Sequence, residues 1–314
     1  MKPFLRRLLL FLPVALVGYV LLLCLFGDLG WVRTAVTRMG EEGHLNSRVK
    51  DIRHYHNVDI LFLGSSHCYR TFDTRFFAAH GYTSFNLGSS NQTPVQTYVL
   101  LSRYLDSLNP KQVIFEVHPD IMRNDGVESA VNLLCNTPLT PQATRMAFSL
   151  HNMKVFNTWL YAVYSQKVCH RLERFHEDTL IRAYRYIPGG FCEVDTNEFV
   201  RKRYPHTTLT IAPRQLRALR QCIQLFRDRH IPYTLVEIQD ACQLRRSFTN
   251  HPWFEQQMSA LGPYHYQILP MVDTVHFFNS NHLDKPGIQL YNQHLLAYLD
   301  AHPITPSPQN PKEP

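Results

Sequence analysis

The chain has 314 residues, of which 45% are hydrophobic, 12% aromatic and 18% charged, enough apolar material for the core of one large domain. That composition excludes a chain dominated by disorder and a collagen-like or repeat polymer, and a mean hydropathy of −0.24 argues against a polytopic membrane protein. The excess of 32 basic over 25 acidic residues, +7, raises nucleic-acid binding as a question that the positions of the charges decide.

Lys2, Arg6 and Arg7 precede Leu8 to Gly27, 20 residues without a charge. At about 1.5 Å per residue such a run spans a hydrocarbon core of roughly 30 Å. The basic flank stays cytoplasmic under the positive-inside rule, so the remainder is expected outside. A cleaved signal peptide would have an apolar region of about 7–15 residues ending in small residues. This run is longer, and bulky Leu23 precedes Cys24 where a lipoprotein site needs a small residue. The sequence therefore predicts an uncleaved single anchor at 1–27, a juxtamembrane segment at 28–57, an α/β domain at 58–302 and a disordered tail at 303–314. Three positive charges belong to the anchor, which leaves +4 on the exported part. Arg201-Lys202-Arg203 and Arg245-Arg246 are scattered and read as solvated surface, so no nucleic-acid partner is expected. The six cysteines beyond Cys24 show no C-x-x-C or zinc-like spacing. One or two disulfides within 135–192 are compatible with export, with the pairing left open.

In chain order, Val58 to Gly64 reads as a buried strand and Ser65 to Arg70 as the turn beyond it. A short helix is expected at 74–80, a second strand at Thr83 to Leu87, a helix from Thr93 to Leu108 and a third strand at Gln112 to Val117. After a helix at 213–230, strands are expected at Pro232 to Ile238 and Tyr266 to Met271, then a last helix from Lys285 to Leu299. Strands alternating with helices of this length imply an α/β fold with a mainly parallel sheet flanked by helices. The stretch from 125 to about 205, rich in Tyr, Phe, His and Arg, breaks the rhythm and reads as an inserted helical cap.

Ligands of an open parallel sheet gather at the carboxyl ends of its strands, where three unusual segments fall: Leu63-Gly64-Ser65-Ser66-His67, Asn86-Leu87-Gly88-Ser89-Ser90-Asn91-Gln92, and Asn279-Ser280-Asn281-His282-Leu283-Asp284-Lys285-Pro286-Gly287. A serine in a strand-to-helix turn is ordinarily an N-cap, Asn-Leu-Gly is ordinarily a turn, and any one of 17 histidines is ordinarily structural. Their order together carries the signal.

In these blocks the sequence resembles the SGNH/GDSL hydrolase superfamily, in its membrane-anchored, envelope-modifying branch. Gly64-Ser65-Ser66-His67 is similar to the block that holds the nucleophile, which places Ser66 there. Gly88 matches the glycine whose N–H contributes to the oxyanion hole, together with the Ser66 N–H. His282-Leu283-Asp284-x-x-Gly287 resembles the block carrying the catalytic base. The resemblance covers roughly 57–120 and 230–300. It implies a flavodoxin-like three-layer fold and a serine-dependent esterase or O-acyltransferase acting on a cell-envelope glycan or lipid-linked acyl substrate. Similar proteins include the D-alanyl-lipoteichoic acid biosynthesis family and periplasmic polysaccharide O-acetyltransferases, which implies a multi-pass membrane acyltransferase as partner.

The chain departs from that pattern twice. The family's Gly-x-Asn-Asp block is replaced by Phe115-Glu116-Val117-His118-Pro119-Asp120, which leaves Asn91 as the substitute oxyanion donor. The position three residues before the histidine, usually Asp, is Asn279. Asp273 and Asp284 are alternative acids, and Asp273-Thr-Val-His276 makes His276 a rival base. The missing acid also raises a catalytically impaired, SGNH-fold envelope-binding or scaffold protein as the alternative. No Gly-rich nucleotide loop and no paired metal-ligand spacing appear, so neither cofactor nor metal is expected.

Overall fold

The computed structural model describes residues 2–32, 34–40, 43–194 and 199–302; the tail expected at 303–314 lies outside them. The first helix, Lys2–Leu29, contains an apolar stretch from Pro3 to Leu29 long enough and apolar enough to cross a membrane, a criterion that a signal sequence can also meet. Its last turns dock onto the domain. Leu23 is buried against Val36 and Tyr161, and Tyr19 donates to Asn157 Oδ1 at 2.6 Å. The Asp28 carboxylate accepts from Arg171 (2.7 Å), Tyr161 (2.9 Å) and Tyr164 (3.0 Å).

The domain is built on β1 (Ile60–Leu63), β2 (Ser84–Asn86) and β3 (Gln112–Glu116), every residue of which is buried, as strands covered on both faces must be. An insertion follows, with helices at Val127–Asn136, Pro141–Ser149, Met153–Val163 and Arg171–Arg174. Its second half departs from the expected helical cap. It forms an antiparallel sheet of β4 (Leu180–Ile181), β5 (Tyr184–Ile187) and β6 (Phe191–Val194), because Pro188-Gly189-Gly190 reverses the chain between two strands carrying aromatic side chains.

The main sheet then resumes with β7 (Tyr233–Glu237) and β8 (Tyr264–Tyr266). The latter is shorter and earlier than the strand expected at 266–271. The order is β2-β1-β3-β7-β8, all parallel. A two-stranded ribbon, β9 (Phe277–Asn279) and β10 (His282–Leu283), leads into the last helix, Lys285–Ala301.

Alternation along the strands makes three layers. Leu61, Leu63, Val113 and Phe115 face Leu100, Leu105 and Ile223 of helices Pro94–Leu108 and Pro213–Asp228. Ile60, Phe62 and Ile114 face Phe72, Phe77, Tyr291 and Leu295. The sequence order 2-1-3-4-5 in such a sheet has its switch point between β1 and β3, so the loops after β1 and β3 open the crevice where a ligand binds.

The β5–β6 turn clamps the insertion to this crevice. Gly189 O accepts from Asn86 N at 2.8 Å, and buried Arg48 donates to Gly190 O at 2.9 and 2.8 Å. Gly190 has φ +100°, and a Cβ there would stand 2.1 Å from Asn86 O. Gly190→Ala should therefore lower unfolding free energy by about 2 kcal/mol or more, read from urea melts of the full chain. Unchanged stability would contradict this docking.

Candidate active site

β1 ends at Leu63, and Gly64 turns the chain with φ +145°. A Cβ at Gly64 would lie 2.4 Å from Glu116 Oε2, so only glycine lets the loop pass the end of β3. Ser65 caps the next helix, Ser66–Thr71, by accepting the His67 N–H at 3.2 Å. The capping role therefore falls to Ser65, and the Ser66 hydroxyl is left for another partner. It donates to His282 Nε2 at 2.8 Å.

That geometry has a defined proton arrangement. Asn279 Oδ1 accepts from the backbone N–H groups of Asn281 (3.1 Å) and His282 (3.0 Å) and from His282 Nδ1 (3.0 Å). Two backbone donors can face only the amide oxygen, so the side chain cannot flip. The imidazole proton is consequently on Nδ1, and the Nε2 lone pair faces Ser66. Burial first, then the charges of Arg70 and His118, hold His282 well below the ordinary imidazole value of 6.5, so the ring is neutral at pH 7 and able to accept a proton.

The rivals are engaged elsewhere. Half-buried His276 bonds through Nδ1 to the Val272 backbone, and Asp273 accepts from the Cys242 N–H at 3.0 Å. Asp284 precedes the last helix, while His282 Nδ1 is taken by Asn279.

Gly88, expected as an oxyanion donor, has a partner within the turn. Its N–H donates to Asn86 Oδ1 at 3.1 Å, because the buried Asn86 amide sits beneath the turn and claims it. Asn91 lies in a turn with left-handed backbone, φ 48°, and its amide makes no hydrogen bond among the described residues. The Ser66 N–H, at the first position of its helix, has no partner among the described residues.

Beneath the pair lies a polar floor that no sequence motif indicated. Buried Glu116 accepts from the Ser65 N–H (2.7 Å) and Ser65 hydroxyl (2.9 Å), and burial raises its carboxyl above the usual range. Ser65 Oγ, already a donor to Glu116, accepts from His67 Nδ1 at 3.0 Å. The His67 ring stacks on His118 at 4.2 Å and on His282 at 4.9 Å, with interplanar angles of 11° and 18°. His118 Nε2 meets the Asp240 carboxylate at 3.0 Å.

His67, His118 and Asp240 hold ligand atoms within 4.8 Å of one another, a spacing a metal ion could bridge. The donor chemistry argues otherwise. His118 Nδ1 accepts the Asp120 N–H at 3.2 Å, which places the ring proton on Nε2, toward Asp240, where a metal would need a lone pair. No disulfide is present among the described cysteines, unlike the one or two admitted for 135–192.

No protein-family model matches the chain, and no curated protein matches it. Among solved structures it is similar to a proposed acylhydrolase of Bacteroides fragilis, at 13% identity over 81% of this chain and 94% of that one, TM-score 0.34. It is also similar to a proposed platelet activating factor of Streptococcus pneumoniae (13%, 82% and 92%, TM-score 0.37), and to a lipase/acylhydrolase of Enterococcus faecalis (11%, 79% and 98%, TM-score 0.34). Likenesses this distant carry no argument, and the chemistry of the site stands on its own geometry.

Ser65 holds the floor to the helix Ser66–Thr71. Ser65→Ala strands the buried Glu116 and His67 partners and should cost about 1–3 kcal/mol, measured by chemical denaturation. A loss below about 0.5 kcal/mol would show that the Glu116–Ser65–His67 chain is not a structural tie.

Proposed function

We propose that this chain is a serine esterase or O-acyltransferase of the SGNH/GDSL type. It is held by its N-terminal helix with the α/β domain outside the cytoplasmic membrane, and it acts on acyl groups of an envelope glycan or a lipid-linked carrier. The observation that carries the reading is the Ser66–His282 hydrogen bond with its tautomer set by Asn279.

His282 Nε2 takes the Ser66 proton as Oγ attacks the ester carbonyl carbon, and the carbonyl oxygen becomes an oxyanion facing the Ser66 N–H. Collapse breaks the ester C–O bond. The leaving alkoxide takes the proton from His282, and the acyl group remains on Ser66. Water or a sugar hydroxyl then gives its proton to His282 and removes the acyl group by the same steps in reverse. The helix end docked through Asp28, Tyr161 and Arg171 supports a retained anchor, since removing the helix would strip the domain of that contact. Lys2, Arg6 and Arg7 before the apolar run support the orientation.

Amide replacement of the acid in serine-protease triads lowers turnover about 10⁴-fold because the imidazole takes the wrong tautomer. In this chain the tautomer is right, and only the negative charge is lacking. A carboxylate beside an imidazolium raises its pKa by about 1–3 units.

A fluorophosphonate probe should label the detergent-solubilised full chain, with labelling lost in Ser66→Ala and His282→Ala. No labelling of the folded wild type would leave the binding or scaffold reading. Asn279→Asp should raise turnover of a neutral ester about tenfold or more. Because His282 is held below 6.5, the wild-type rate should persist on the acid side of pH 6.5 and fall only as the pH drops through the lowered value. Asn279→Asp should move that acid limb upward. A lower rate with an unmoved limb would contradict the role given to Asn279.

A further inference from the structure

Arg70 lies four residues after Ser66 on the helix Ser66–Thr71, so the two side chains share a face one turn apart. It is only 9% exposed. Its guanidinium lies 4.4 Å from the Tyr184 ring of β5, with Tyr69 at 5.9 Å and Phe278, next to Asn279, at 6.0 Å. Its Nε has no hydrogen-bond partner, and among the described residues no carboxylate pairs with it. The carboxylates that could have done so are engaged: Asp73 pairs with Arg75 at 2.7 Å, and Glu193 with Arg75 and Lys285 at 3.3 and 3.9 Å. A buried cation is costly without an anion, and aromatic faces compensate only in part.

Arg70 also lines a cavity of about 290 Å³ that runs along Leu283 and Asp284, the two residues after His282. Ser66 and His282 do not line this cavity, whose wall also holds Asp73, Glu193 and Asp284 beside Arg75 and Lys285; Arg70 joins it to the Ser66–His282 pair, being on the Ser66 helix and facing the cavity. We propose that Arg70 binds an anionic group, a carboxylate or phosphate carried by the ester, and so makes anionic esters the substrate class of this site. This rests on the esterase reading above. It also supplies what Asn279 lacks. After burial, the Arg70 charge is the largest influence opposing protonation of His282. An anion seated on Arg70 offsets that charge as the imidazolium forms.

The test has a binding arm and a turnover arm, both on the full chain in detergent. In Ser66→Ala, inorganic phosphate or succinate should raise the melting temperature where neutral succinamide does not. Adding Arg70→Met should abolish the shift, and the stronger of the two anions identifies the group. In the active protein, kcat/KM for the 4-nitrophenyl monoester of succinate relative to 4-nitrophenyl acetate should fall about tenfold or more in Arg70→Met, as expected for loss of one charge-assisted hydrogen bond. Arg70→Lys should fall between the two. If Arg70→Met does not fold, the same ratio in Arg70→Lys decides. An unchanged ratio, or no anion effect on Ser66→Ala, overturns the proposal and leaves Arg70 as packing for the β5 aromatic wall. Anion binding through Arg70 with no ester turned over would keep the anion site and remove the esterase reading.

Discussion

The site depends on one oxygen atom. Asn279 Oδ1 gathers the N–H groups of Asn281 and His282 and the ring proton of His282, which closes the β9–β10 turn and aims the imidazole at once. Each bond fixes the others. The turn presents two backbone donors, these exclude the amide NH₂, and the oxygen that remains can only receive the Nδ1 proton. The Nε2 lone pair is therefore directed at Ser66 by the fold of a short ribbon. An aspartate would do the same and add a negative charge. The asparagine keeps orientation and tautomer while leaving the imidazolium less stabilised.

The floor beneath explains why the site can be both buried and polar. β1, β3 and β7 end side by side, and each contributes one layer: Ser65 and His67 after β1, Glu116 and His118 at β3, Asp240 after β7. Every bond in this floor is directional and most of its atoms are out of water, where an unmade bond costs about 1–3 kcal/mol. The ring stack sets the plane of His67 against that of His282, so the His282 ring is braced from below as well as from its own turn. Arg70, which pairs with no carboxylate among the described residues, lies beside this arrangement on the helix that begins at Ser66.

Much of the fold was legible in sequence because its signals are local. Ile60-Leu-Phe-Leu63 is apolar at every position, as a strand covered on both faces must be, and Gly64 marks its end. Ser66 and His282 were legible from short blocks with a fixed order. What escaped depends on convergence. His67, His118, Glu116 and Asp240 sit at the ends of strands whose neighbours are set by sheet order, and no spacing along the chain records that. Gly88 matched a motif, but its N–H direction is decided by the side chain of Asn86, two residues before it. The insertion, rich in Tyr, Phe, His and Arg, read as a helical cap, whereas Tyr184, Tyr186 and Phe191 around Pro188-Gly189-Gly190 make a hairpin whose turn is held by the end of β2. Asn279 read as the loss of an acid, because the two backbone donors that orient its amide are invisible until the ribbon is formed.

The tautomer of His282 is the most direct measurement. In a long-range ¹H–¹⁵N correlation spectrum of the full chain at neutral pH, with His282→Ala as the assignment control, Nδ1 should carry the pyrrole-type shift of a protonated nitrogen and Nε2 the pyridine-type shift of a lone pair. The reverse pattern, with the proton on Nε2, would mean that Asn279 presents no acceptor to the ring and that His282 cannot take a proton from Ser66.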